Sequence, residues 1–169
     1  MADVFLSLGA NEGDREANIK IAIDLIDKSS GIRVSAVSSL YESGALGVST
    51  QPDFLNCVVR IETNLKPHDI LKTAKFIEAT LGREPNTHMR PRPIDIDILL
   101  YDDLDMQSED LMIPHSRLTR RRFVLEPLLE IEPDAVDPVS KNPLVEFADQ
   151  LQSQRVTRYR EQSEVWDAR

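Results

Sequence analysis

The sequence predicts an α+β domain with the element order βαββαβ. Apolar residues recur with period two in four segments and at helical spacing in two, and Gly, Pro, Asn and Asp punctuate the joints. This is the split βαβ, ferredoxin-like arrangement, an antiparallel sheet with helices on one face, followed here by a C-terminal extension from Asp102 onward. Residues 4–8 read as a short strand, and Gly9-Ala10-Asn11-Glu12-Gly13-Asp14 turn the chain, with Asp14 as helix N-cap. Ile19, Ala22, Ile23 and Ile26 form a stripe at i, i+3, i+4 and i+7, and Gly31 stops that helix. Ile32, Val34 and Ala36 then alternate in a β-branched run ending near Tyr41, and Phe54–Thr63 behaves likewise. The loop 42–52 between them, with Gly44, Gly47, Ser49 and Thr50, exceeds ordinary hairpin length, and such loops often carry function. Pro67 suits a first helical turn, Ile70, Ala74, Ile77 and Leu81 continue at helical spacing, and Gly82 ends the helix. Three prolines make 83–93 a basic loop carrying Arg83, His88, Arg90 and Arg92, and 94–101 is the last strand.

The chain of 169 residues, 41% hydrophobic and 29% charged, is expected to form a single domain over 1–169. Its polar end, 152–169, is expected to be peripheral, as a helix or partly frayed, anchored by Val156, Tyr159, Val165 and Trp166. A lone cysteine, Cys57, and only three histidines argue against a disulfide scaffold or structural zinc. The start of the chain has no basic leader, and no run approaches a membrane span, so a soluble cytoplasmic protein is expected. A formal charge of −9 opposes non-specific binding to nucleic acid or anionic membranes, and any anionic ligand must find a local basic patch.

The chemistry concentrates in the last strand. Asp95 and Asp97 project from one face, about 7 Å apart, opposite Ile94, Ile96 and Ile98. A solvated sheet face is the plain reading of such a pair, and a divalent cation held by both is the other. Arg90 and Arg92 just before them supply donors matched to phosphate oxygens, which favours metal-bound polyphosphate. Magnesium typically takes one or two carboxylates plus substrate phosphates and water, so the pair suits a Mg-nucleotide and phosphoryl-type transfer. No Walker loop is present, and 9–13 reads as a strand-to-helix turn. Pro114-His115, Arg117 and Arg120-Arg121-Arg122-Phe123 form a second basic segment, either a solvated face or another wall around phosphate. Phe54 and Phe123 suit core packing or a sandwich around a planar heterocycle, and Asn56, two residues from Phe54 on the same face, can read amide-like edges.

The segments Leu8-Gly9-Ala10-Asn11 with Gly13-Asp14, Gln51-Pro52-Asp53-Phe54-Leu55-Asn56, Arg90-Pro91-Arg92-Pro93-Ile94-Asp95-Ile96-Asp97-Ile98-Leu99 and Pro114-His115 with Arg121 and Phe123 together closely resemble the 6-hydroxymethyl-7,8-dihydropterin pyrophosphokinase family of folate biosynthesis. The resemblance runs nearly end to end. It implies transfer of pyrophosphate from ATP to a pterin alcohol, with two Mg2+ ions held by Asp95 and Asp97 and with Asp95 near the pterin hydroxymethyl. By the same resemblance Phe54 and Phe123 sandwich the pterin, Asn56 hydrogen-bonds it, and Ser43, Gly44 and Leu46 line its pocket. Arg83, Arg92, His115 and Arg121 contact ATP phosphates, with the first two also catalytic, Lys75 and Glu78 sit near the nucleotide, Ile98 packs on adenine, and 83–89 closes over the substrates. A monomer acting on ATP and the pterin is expected.

This chain departs from the family pattern in two loops. Glu84-Pro85 follow Arg83 where many members have Arg-x-Arg, and Met89 stands near a common Trp position, so weaker pterin stacking or slower closure is expected. Ser43 and Gly44 replace a common Thr-Pro pair, which predicts a more mobile pocket loop. The alternatives are a nucleotide-binding paralogue with altered or lost pterin activity, or a small regulatory or RNA-binding module. Acidity and the lack of an RRM aromatic signature oppose RNA.

Overall fold

A computed structural model describes residues 1–45, 50–85 and 90–167. The first half follows the expected order: β1 (Ala2–Ala10), α1 (Arg15–Asp27), β2 (Ile32–Val37), β3 (Leu40–Ser43), β4 (Phe54–Thr63), α2 (Pro67–Thr80) and β5 (Asp95–Tyr101). Beyond these lie a short hairpin of β6 (Met106–Gln107) and β7 (Met112–Ile113), a 3-10 turn at Leu118–Arg120, α3 (Arg122–Ile131), α4 (Leu144–Asp149), β8 (Val156–Arg160) and α5 (Gln162–Val165). Asp14 caps α1 as expected, its Oδ1 accepting from Ala17 N at 3.0 Å.

The main sheet runs β5-β1-β4-β3-β8, with β2 pairing the far end of β4, and every pairing is antiparallel. Alternation along the strands sorts side chains to two faces. Val4, Leu6, Leu8, Leu55, Cys57, Ile61, Ile96 and Ile98 join Ile19, Ile23, Ile70 and Ile77 of α1 and α2 in one core. Phe5, Val58, Leu99 and Leu100 join Val124, Leu125 and Leu128 of α3, with Leu144 and Ala148 of α4, in a second. The helices of the βαββαβ unit thus share one face, and the C-terminal extension covers part of the other.

Two expectations are corrected. The single run from Ile32 to Tyr41 is two strands, because four residue steps separate Val37 from Tyr41 while their partners Val59 and Asn56 are three apart. The extra residue is absorbed at buried Ser38 and Ser39, where Ser38 Oγ accepts from Val58 N at 2.9 Å and Ser39 N donates to Glu130 of α3. The end of the chain carries an unexpected strand, β8, ahead of a short helix, α5, where a helix or a frayed tail is expected. β8 pairs β3, Arg158 donates to Glu130 at 2.9 Å, and Val165 and Trp166 pack against the first core.

Candidate active site

The functional face is the one that α3 covers only in part. Tyr41, Asn56, Gly9 and Asp95 are consecutive partners across β3, β4, β1 and β5, and Ser7 pairs Val58 and Asp97 in the next row. Asn56 and Asp95 therefore flank Gly9, and at ordinary strand spacing their backbones lie roughly 10 Å apart. Gly9 leaves the floor between them bare; a Cβ there would lie 3.4 Å from Asn56 Oδ1 and 3.6 Å from the Phe54 ring. The bulge between β1 and β5, where Phe5 pairs Leu100 and Leu6 pairs Ile98, turns Leu99 and Leu100 both toward the second core. Leu99 O accepts from His115 N at 3.0 Å, which seats Pro114-His115 beside the carboxylate end of β5.

A cleft of about 530 Å³ opens over this floor. Its lining includes Ser43, Gly44, Phe54, Asn56, Lys75, Arg83, Arg92, Asp95, Asp97, His115, Arg121 and Phe123. Residues predicted from segments more than sixty positions apart in sequence thus meet in one space. Glu78 sits behind the wall, buried, pairing with Lys75 at 3.1 Å and with Arg83. Ile98 faces the α1–α2 core and lines a second cleft of about 210 Å³ with Leu71, Ile96, Leu111 and Met112, shared at its mouth by Lys75, Asp97 and His115. Leu46, His88 and Met89 lie outside the described residues, so the lid expectation extends past Arg83, Glu84 and Pro85 onto undescribed positions.

Electrostatically the site is a cationic rim around two acids. Asp95 is paired with Arg83 and, at 2.5 Å, with Arg92 Nε. Arg92 Cζ also stands 5.0 Å from the Phe54 ring centroid, and Arg121 Cζ stands 5.5 Å from that of Phe123. Burial lowers the Arg121 and His115 pKa values; for His115 the carboxylate of Asp97 opposes this and Arg121 and Arg117 add to it. His115 Nδ1 accepts from Arg117 N at 3.1 Å, which assigns the proton of the neutral ring to Nε2. Burial raises Glu78, against the pull of Arg83 and Lys75. In the wall formed by β3 and β4, Asn56 Nδ2 donates to Ser43 Oγ at 2.8 Å and to Tyr41 O at 3.3 Å.

No group of three or more His, Cys, Asp or Glu suited to a metal occurs among the described residues. Asp95 and Asp97 alone suit a magnesium ion that completes its shell with phosphate oxygens and water. Asp95 Oδ1 is buried against the Arg83 guanidinium, so a metal ion bound there takes the place of that arginine. Arg117, read from the sequence only as part of the second basic segment, lines the cleft, and sequence reasoning missed Arg15, whose Nη1 donates to Glu42 Oε2 at 2.8 Å and to Asp53 O at 2.9 Å. It quoted Asn11 but gave it no role.

The family model for 7,8-dihydro-6-hydroxymethylpterin-pyrophosphokinase (HPPK) matches residues 5–133. An Aquifex aeolicus 2-amino-4-hydroxy-6-hydroxymethyldihydropteridine pyrophosphokinase is 42% identical over 147 residues, 87% of this chain and 91% of that protein. The Schizosaccharomyces pombe folic acid synthesis protein fol1 is 44% identical over 155 residues, and there this chain spans 21% of the relative's length. The Plasmodium falciparum wild-type HPPK-DHPS structure superposes with a TM-score of 0.70 at 17% identity, covering 90% of this chain and 45% of the other, a likeness of fold. The chain therefore belongs to the 7,8-dihydro-6-hydroxymethylpterin-pyrophosphokinase family.

Proposed function

We propose that this chain transfers the terminal diphosphate of ATP to the hydroxymethyl group of 6-hydroxymethyl-7,8-dihydropterin, releasing AMP, as a step of folate biosynthesis. Enzymes of this family use ATP as donor. One observation carries the reading: an aromatic, amide-lined wall and a carboxylate–arginine wall face each other across the bare floor at Gly9. Phe54 and Phe123 offer ring faces to a pterin, and Asn56, fixed by Ser43, offers an edge. Gly44 and Leu46 complete that pocket in this reading. The second cleft, with Ile98, takes adenine, and Lys75, backed by Glu78, lies between it and the main cleft.

Arg83, Arg92, Arg121 and the Nε2–H of His115 then meet the phosphates, and the arginines compensate charge as it shifts to the leaving AMP. Asp95 and Asp97 would hold two Mg2+ ions, which supply charge neutralisation across the phosphate oxygens. The hydroxymethyl oxygen attacks the β-phosphorus in line, and the bond from that phosphorus to the oxygen of the α-phosphate breaks. Bringing the two substrates together at the floor is the main service of the fold. The chain acts as a cytoplasmic monomer on these small molecules, without nucleic acid. No helix among the described residues is long and apolar enough to cross a membrane.

The test is AMP release from MgATP with and without the pterin alcohol. Pterin-dependent AMP formation that disappears in folded Asp95→Ala and Asp97→Ala variants is expected. ATP binding with no AMP formed would instead mark a paralogue without the reaction.

A further inference from the structure

Asn11 follows β1 at the turn into α1, is 1% exposed, and is not among the residues lining either cleft. Its hydrogen bonds reach both walls of the active site. Nδ2 donates to Gln51 Oε1 at 3.0 Å and to Pro52 O at 3.2 Å, on the chain that enters β4 at Phe54. Oδ1 accepts from Arg92 N at 2.9 Å, and Asn11 N donates to Arg92 O at 3.2 Å, on the loop that enters β5 at Asp95. One carboxamide thus ties the pterin-side wall to the phosphate-side wall. The task needs a donor pair at one end and an acceptor at the other, which an amide of this length provides. An aspartate keeps the acceptor, but it has no proton for the Pro52 carbonyl, which has none to give in return.

We propose that Asn11 is a positioning residue for the transfer, fixing the two walls relative to each other and so setting the approach of the alcohol oxygen to phosphorus rather than the affinity for either substrate. The inference rests on the activity proposed above. Its physical basis is that a displacement of about 1 Å between reacting groups costs on the order of a hundredfold in rate. A purely structural asparagine would lower stability and leave the transfer step of the folded fraction unchanged.

The experiment compares the full chain with Asn11→Asp, Gln51→Ala and the double variant. Thermal midpoints report folding. Dissociation constants are measured for the pterin alone and MgATP alone, and the transfer step by single-turnover AMP formation with both saturating. For Asn11→Asp the expected result is dissociation constants within about threefold of wild type and a transfer rate lower by roughly ten- to a hundredfold. Gln51→Ala should lower the rate less and add little in the Asn11→Asp background, because both act through the same amide. A wild-type transfer rate in Asn11→Asp, a loss confined to the dissociation constants, or effects that simply multiply in the double variant would overturn the proposal. If Asn11→Asp does not fold, Gln51→Ala decides by the same criterion, a slower transfer at unchanged dissociation constants. Absence of AMP from the wild type would refute the underlying activity instead, a failure read independently of the variants.

Discussion

Asp95 holds Arg83 and Arg92, two of the cations proposed to receive ATP phosphates. Replacing Asp95 with Asn removes the negative charge in nearly the same volume and loosens its hold on both guanidinium groups, with Arg83 keeping its pair with Glu78. A hydrogen bond to a charged group contributes about 1.5–3 kcal/mol, and Arg92 Nε makes one to Asp95 at 2.5 Å. The side chains are 16% and 18% exposed, and discounting by about half for solvent screening leaves on the order of 1.4 kcal/mol. That corresponds to about tenfold in affinity. Titration of a non-hydrolysable ATP analogue should therefore show, in EDTA, Asp95→Asn binding about tenfold more tightly than wild type. In magnesium the same variant should lose most of the metal-dependent gain in affinity and nearly all turnover. Weaker binding in EDTA would refute the reasoning, because it would mean that Asp95 organises the arginines for phosphate rather than competing with it.

Other perturbations test other parts of the site. Gly9→Val suits a strand but fills the bare floor, so turnover should fall at least about tenfold while the thermal midpoint stays within a few degrees; wild-type kinetics would show that the floor is not occupied by substrate. Asn56→Ala removes the donors to Ser43 Oγ and Tyr41 O from a buried position, an expected cost of about 2 kcal/mol in urea unfolding along with weaker pterin binding. Because burial holds His115 below its ordinary pKa of 6.5, the unfolded chain takes up a proton there before the folded chain does. The contribution of neutral His115 is therefore present above about pH 6.5 and lost as pH falls through the lower folded value. Urea unfolding at pH 7.5 and 5.5 should show wild type losing more stability than His115→Gln, and equal losses would contradict the assignment. Deleting 152–169 removes β8 and the buried Val165, with an expected loss of at least about 2 kcal/mol.

Much of the site was legible because it depends on strand parity. The alternation of Asp95 and Asp97 with Ile94, Ile96 and Ile98, and the spacing of Phe54 and Asn56, place these groups on one face of the sheet, and the structure keeps that placement. What the sequence hid depends on distant partners. The bend at Ser38 and Ser39 is stabilised by Glu130, 91 positions away from Ser39, and no local signal in a run of alternating residues announces it. β8 is short and mostly exposed, so its composition resembles a solvated tail; its pairing is set by the free edge of β3 and by Arg158 meeting Glu130. The ion pairs of Asp95 were equally hidden, since proximity of basic and acidic segments does not say which guanidinium turns inward. Asn11 stood in a quoted motif, yet its role emerges only when Gln51, Pro52 and Arg92 are brought around it.

The central claim is that two walls on one sheet face bring a pterin alcohol to the β-phosphorus of ATP, so that two phosphoryl groups move together. The most direct measurement is a product balance by mass spectrometry and phosphorus NMR, with MgATP and 6-hydroxymethyl-7,8-dihydropterin, for wild type and Asp97→Asn. One AMP for each pterin diphosphate, no ADP and no pterin monophosphate, with both products lost in the folded variant, is the predicted result. ADP with a pterin monophosphate, or an undiminished yield from Asp97→Asn, would contradict it.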